Sequence, residues 1–220
     1  MPCGLFKVYM YTILDTETAS LHSGVVELAL LHIDTDLNVV GEFHSVVNPE
    51  RPIEPGAFAV HGISDADVAD APTLAQISEL GAVTHAIAHN LAFDSRMLKG
   101  HLNAEAGLCT LSLSRQYLKG TANHKLENLK RELGLPDQKS HSALGDVYTT
   151  LDLLRHLLPL TGVPLDTLFK RASQPKLVHR MAFGKHKGLL ISQVPADYRS
   201  WLLGQENLDK DLRYTLERLK

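Results

Sequence analysis

The chain has 220 residues, 44% of them hydrophobic and 21% charged, which suits one full domain with a small appendage and excludes disordered and fibrous classes. No apolar run reaches the roughly 20 residues that span a bilayer, and the N-terminal MPCGLFKVYMYTILD lacks the cleavage site of a signal peptide. The net charge of -3 hides a division: residues 1–169 hold 11 Lys and Arg against 20 Asp and Glu, whereas residues 170–220 hold 11 against 5.

A cytoplasmic protein without a membrane partner is therefore expected, with an acidic body and a basic tail. In chain order, Val8 to Leu14 reads as a buried strand delivering Asp15 at its C-terminal end. Gly24 to Ile33 and Leu37 to Val47 follow as two more strands around the turn-forming Asp34-Thr-Asp, so an antiparallel meander opens the fold. NPERPIEPGAF reads as a loop, Thr73 to Leu80 has helical spacing, and Val83 to Ala88 is another buried strand. Asn90 is placed to cap a helix from Leu91, and Gly107 to Thr110 is a short strand. Helices are expected over Leu113 to Leu118, over Lys125 to Leu133, and from about Ser142 to Leu158, where Pro159 stops the last. The two cysteines, Cys3 and Cys109, form neither a disulfide framework nor a zinc spacing and read as reduced thiols, with Cys109 buried. The pattern is an α/β layer with a mixed sheet over 1–160, a linker over 161–179 and a small basic extension over 180–220.

Three short elements carry chemistry. Asp15 and Glu17 stand two apart on a strand, so both carboxylates leave on the same side and suit a shared metal. His89-Asn-Leu-Ala-Phe-Asp94 sits where a strand passes into a helix and puts Asp94 on the first helical turn, where an acid also complements the helix dipole. His141-Ser-Ala-Leu-Gly-Asp146 has a spacing of five, about 140° off one helical face, so the two side chains meet only if His141 lies on the entering loop. Four carboxylates in one cleft need cations, and hard oxygen ligands suit Mg²⁺ and Mn²⁺. Two such ions about 4 Å apart stabilise the attacking and leaving oxygens of a phosphoryl displacement. A histidine, ordinarily titrating near pH 6.5, is suited to take a proton from the attacking water.

Asp15-Thr-Glu17, HNLAFD at 89–94 and HSALGD at 141–146 together resemble the three exonuclease motifs of the DEDDh superfamily, over about residues 8–158. The resemblance implies a ribonuclease H-like fold, two Mg²⁺ ions with Mn²⁺ as a substitute, and release of 5′-mononucleotides from a 3′ end. It implies that Asp15, Glu17 and Asp146 hold the catalytic metal, that Asp94 serves the second, and that His141 is the base. Thr16 and Thr18 would lie beside the terminal nucleotide, and Asn90 is counted with them. His61 of the His61-Gly-Ile63 element either helps to form the pocket for the last base or caps a turn. Phe93 reads as core.

The segment FGKHKGLLISQVPADYRSWLL, residues 183–203, resembles the short C-terminal extension of one branch of the superfamily. Two readings stand for it. Lys185, His186, Lys187, Arg199 and Trp201 suit a single-stranded backbone and its bases; alternatively Phe183, Tyr198, Trp201 and Leu202 form a small core. The expected partner is single-stranded DNA or DNA 3′ ends. An exoribonuclease is the second reading, because RNA and DNA differ at the 2′-OH, whose recognition can depend on one pocket contact. A non-catalytic binding module is the third, and the presence of all four acids with His141 argues against it.

Overall fold

The computed structural model describes residues 11–175, 177–205 and 208–219. Cys3 and the expected start of the first strand, Val8 to Met10, lie outside them. The chain divides into two compact units, residues 1–170 and 171–220.

The first unit is built on a five-stranded mixed sheet of order β3-β2-β1-β4-β5. Strands β1 (Tyr11–Thr18), β2 (Val25–Ile33) and β3 (Val39–Val46) form the expected antiparallel meander, while β4 (His85–Ala88) and β5 (Ala106–Cys109) run parallel to β1. Every residue of β2 except His32 is buried, which is why its sequence, VVELALLHI, is a nearly continuous apolar run. Strand β1 does not end at Asp15. It runs on to Thr18, with its register shifting between Glu17 and Thr18, so both acids leave from inside a paired strand beside an irregularity.

Helix α1 (Pro55–His61) occupies part of the expected loop, with Pro55 at its first position and Gly62 in the left-handed conformation closing it. A single turn, α2 (Asp65–Val68), follows under a Ser64 capping box. Thr73 to Leu80 forms two 3-10 turns, Leu74–Gln76 and Glu79–Ala82, rather than a helix. Helices α3 (Leu91–Met97), α4 (Thr110–Tyr117) and α5 (Leu126–Glu132) lie close to expectation, and Cys109 is half-buried rather than buried. Met97 and Leu98 at the end of α3 share a core with Leu14, Leu28, Leu30, Ala86 and Ala88 of the sheet.

Helix α6 (Ala143–Thr161) packs along β1 and β2 and buries Val147, Leu151, Leu153, Leu154 and Leu157. It passes through Pro159 and ends at left-handed Gly162. Proline removes one hydrogen bond from a last turn whose helix is already held by its apolar face. The expected linker contains helix α7 (Leu165–Ser173), which buries Leu165, Leu168 and Phe169. The Phe169 ring stacks on Tyr11 at 5.0 Å and meets His85 edge-on at 5.2 Å.

The second unit has its own core of Met181, Ile191, Val194, Leu202, Leu212 and Leu216, supplied by helices α8 (Ala196–Leu203) and α9 (Lys210–Glu217) and the chain leading into them. Among the described residues no helix is long and apolar enough to cross a membrane.

Candidate active site

Asp15 and Glu17 alternate with buried neighbours along β1, so both carboxylates leave on one side of the sheet, as their spacing requires. Asp94, on the first turn of α3, is 2% exposed and accepts a 2.9 Å hydrogen bond from the Thr16 hydroxyl. Asp146 lies on the first turn of α6, and His141 stands two residues before that helix with φ 58°. The convergence expected of a loop histidine is realised. Ligand atoms of Glu17, His141 and Asp146 all lie within 4.8 Å of one another.

Electrostatics tie all four acids into one cluster. Burial first, then the charges of Asp94, Asp146, Glu17 and Glu27, raises the Asp15 carboxyl well above its ordinary value. Burial, followed by Asp146, Glu27 and Asp94, lifts Glu17 to about 8. Asp94 is lifted to about 7 by burial, against the opposing bond from Thr16, and Asp146 to about 6 by burial, against the opposing pull of His141 and Lys130. A site that strains to hold these charges by itself, built of oxygen donors and one imidazole, fits hard divalent cations.

Several residues besides the four acids and His141 hold this arrangement. Glu27 pairs with Glu17 across β1 and β2, and like charges directly opposite are unfavourable. Both Glu27 oxygens are engaged: Oε1 lies 2.6 Å from His44 Nε2, and Oε2 accepts the Ala143 backbone N–H at 2.9 Å. Glu27 thereby caps the helix that carries Asp146 and is a brace rather than a free ligand. The Ser142 side chain makes no capping bond. Lys130 Nζ donates to the Gln138 carbonyl and the Ser140 hydroxyl, each at 2.8 Å, and to Asp137 at 3.1 Å, pinning the run that leads into His141. Gly145 is required by packing, because a Cβ there would sit 1.9 Å from the Lys139 carbonyl oxygen. Glu127 Oε2 approaches His141 Nε2 to 3.7 Å.

Beside the acids lies a cavity of about 400 Å³ whose lining includes Thr16, Glu17, Thr18, His61 and Phe93. His61 caps a turn, and its ring also lines the cavity. Its Nδ1 accepts the Ile63 backbone N–H at 3.0 Å and so caps the turn. Its Nε2 is buried without a hydrogen-bond partner among the described residues, on a ring that lines the cavity. Burial pulls the His61 pKa down, against the Thr18 backbone and the Glu27 charge, and because Nδ1 accepts from Ile63 the neutral ring carries its proton on Nε2. Phe93 packs on the core and lines the cavity as well, with the Arg96 guanidinium 5.3 Å from its ring centre. Asn90 is exposed, with φ 80°, outside the cavity lining, and its side chain makes no cap bond. His89 bonds Thr110 at 3.0 Å and the His124 carbonyl at 2.8 Å, a structural tie between loops.

A family model described as Exonuclease matches residues 12–154. Exodeoxyribonuclease 10 of Escherichia coli strain K12 is 32% identical over 218 residues, covering 94% of this chain and 97% of the relative. DNA polymerase III subunit epsilon of Haemophilus influenzae is 27% identical, covering 94% and 88%. The structure of exonuclease X in complex with 5′ overhanging duplex DNA, 30% identical, superposes with a TM-score of 0.67 over 74% of this chain and all of that one. Since residues 1–170 form the first unit, a match over 94% of the 220 residues extends into the second unit too. A family model spanning the sheet and its acids, and a relative matched almost end to end, place this chain in the exonuclease family, in its DEDDh branch beside exodeoxyribonuclease X.

Proposed function

We propose that the chain shortens DNA from its 3′ end, hydrolysing the terminal phosphodiester and releasing 5′-mononucleotides. Asp15, Glu17, Asp94 and Asp146 would hold two divalent cations, Mg²⁺ in the first place and Mn²⁺ as a substitute. The observation that carries this reading is the meeting of Glu17, His141 and Asp146 within 4.8 Å, with Glu17 also lining a cavity large enough for a nucleotide. The names of the relatives, exodeoxyribonuclease 10 and exonuclease X bound to DNA, support DNA over RNA.

Cations bound there would neutralise the acids and stabilise the attacking and leaving oxygens. The chain's own residues do the rest. Thr16, Thr18 and His61 receive the terminal nucleotide, with His61 Nε2–H as a donor and the Phe93 ring as an apolar wall. His141 takes the proton of the attacking water on its imidazole and passes it to solvent, to which its half-exposed side chain is open. Residues 1–170 form the catalytic domain and the remainder a separate basic extension.

The test is a 5′-labelled single strand incubated with Mg²⁺ or with EDTA, beside an Asp15→Asn chain. A ladder shortening from the 3′ end only with metal and intact Asp15 is expected, faster on DNA than on matched RNA. Internal cleavage, or digestion that survives EDTA, would overturn the reading, and faster digestion of RNA would move it to an exoribonuclease.

A further inference from the structure

The FGKHKG run and the only tryptophan of the chain play no part in the catalytic unit, and the second unit assembles them on one surface. Arg180 and Leu190 pair in an antiparallel bridge, and the chain between them folds into a tight loop through bonds from Lys187 N–H to the Gly184 carbonyl at 3.1 Å and from Gly188 N–H to the Met181 carbonyl at 2.8 Å. Gly184 and Gly188 have φ 72° and 87°. A Cβ on Gly184 would also meet the Tyr198 hydroxyl at 2.7 Å, so the loop is seated directly on that ring. This seating carries Lys185 Nζ to 4.9 Å from the Tyr198 ring centre and sets His186 edge-on to the same ring at 4.6 Å. On helix α8, Trp201 follows Tyr198 by three residues and stacks on it at 5.3 Å and 28°.

The two readings of these aromatics separate cleanly. Leu202 is 2% exposed in the core of the unit, and Tyr198 packs partly against that core. Trp201 and Phe183 stay outside it, 56% and 45% exposed. An exposed indole stacked on a half-buried tyrosine, with Lys185 of a fixed loop over that tyrosine and Lys187 two residues on in the same loop, is a platform of low conformational freedom for a flat ring joined to an anion. Charge favours the same occupant. Residues 171–220 hold ten Lys and Arg against five Asp and Glu, whereas residues 1–170 hold twelve against twenty, so the second unit has the sign that a polyanion needs and the catalytic unit lacks.

We propose that the Tyr198–Trp201 stack, with Lys185 and Lys187, is a docking surface for single-stranded DNA, one base lying on Trp201 and the lysines facing the phosphates. The inference rests on the reading of DNA as substrate and adds a second contact to it, made by residues of the second unit. Duplex bases already stack on one another, so the surface selects strands whose bases are free.

Because Trp201 is the only tryptophan, its fluorescence reports directly on this surface. Full-length chain carrying Asp15→Asn, titrated with oligo-dT in buffer of stated salt, should show quenched emission that reverses as salt rises. A blunt duplex of equal length should quench far less. Trp201→Ala, followed by anisotropy of labelled oligo-dT, should weaken binding roughly tenfold, the effect of losing one stacked base. Lys185→Ala with Lys187→Ala should flatten the slope of log affinity against log salt by about 1.4, two phosphates' worth for a single strand. Equal quenching by duplex, or unchanged affinity and salt slope in these variants, would overturn the inference. A wild-type chain that digests DNA while Trp201 emission stays unmoved overturns the docking surface alone. An inert wild-type chain whose Trp201 still responds to oligo-dT upholds the surface and overturns the exonuclease reading alone.

Discussion

Gly145 has no space for a side chain, since the Lys139 carbonyl would lie 1.9 Å from a Cβ. Gly145→Ala must therefore push the loop that carries His141 away from Asp146. Displacements of about 1 Å in a reacting group cost on the order of a hundredfold in rate, so turnover should fall by roughly ten- to a hundredfold while circular dichroism stays that of the wild type. An unchanged rate would mean that the loop position is irrelevant. Glu27 belongs to the same scale. It braces the start of α6 through Ala143 and is itself braced by His44. These residues were not legible in the motifs, because one looks like spacing inside HSALGD and the other like a lone acid in an apolar strand. The signal was present in Glu27: an acid has no place in a buried run such as VVELALLHI unless hydrogen bonds hold it. Asp15, Glu17, Asp94, His141 and Asp146 were singled out by three short elements in a known order, and strand alternation and the loop position of His141 account for where they stand.

Among the elements, the meander and the strands β4 and β5 followed from period and turn residues, and the misreadings cluster at prolines. Pro55 starts a helix inside an apparent loop, Pro159 fails to stop α6, and Pro164 precedes α7 where a linker was expected. At Pro159 and Pro164 apolar burial outweighs the local preference, since Leu157, Leu168 and Phe169 are buried and the Phe169 ring stacks on Tyr11, whereas α1 buries none of its residues and starts at Pro55 because proline suits a first helical position. Phe169→Ala should cost about 3 to 5 kcal/mol of stability, as for other buried aromatics. A chemical denaturation curve would show this as an earlier midpoint for the catalytic unit. A midpoint at its wild-type position would restore the linker reading.

At the scale of the whole molecule, the acid cluster makes stability depend on pH and metal together. Glu17, Asp94 and Asp146 titrate near 8, 7 and 6 in the metal-free fold, all above their ordinary values. The folded chain therefore binds more protons than the unfolded chain across this window, and its stability falls as pH rises through it. Melting in EDTA should give a Tm that drops from pH 6 to pH 8. Saturating Mn²⁺ should raise Tm at both, and more at pH 8, since the ion replaces the missing protons. A Tm in EDTA that climbs over this range would contradict the charge cluster. The division of net charge between the two units was readable from the sequence alone, but which aromatics face outward was not, because Leu202 and Trp201 are neighbours with equal claims to a core.

The account stands on a division of labour in which four carboxylates hold the cations and His141 moves the proton. His141→Ala tests it most directly, by pairing a calorimetric titration with Mn²⁺ against single-turnover hydrolysis of a 3′-terminal nucleotide. The account predicts Mn²⁺ affinity within a few-fold of wild type and a rate lower by about a hundred- to ten-thousandfold, the range of a lost general base. A rate near wild type, or Mn²⁺ binding lost together with the rate, would contradict it, the first by requiring another base and the second by making His141 a ligand.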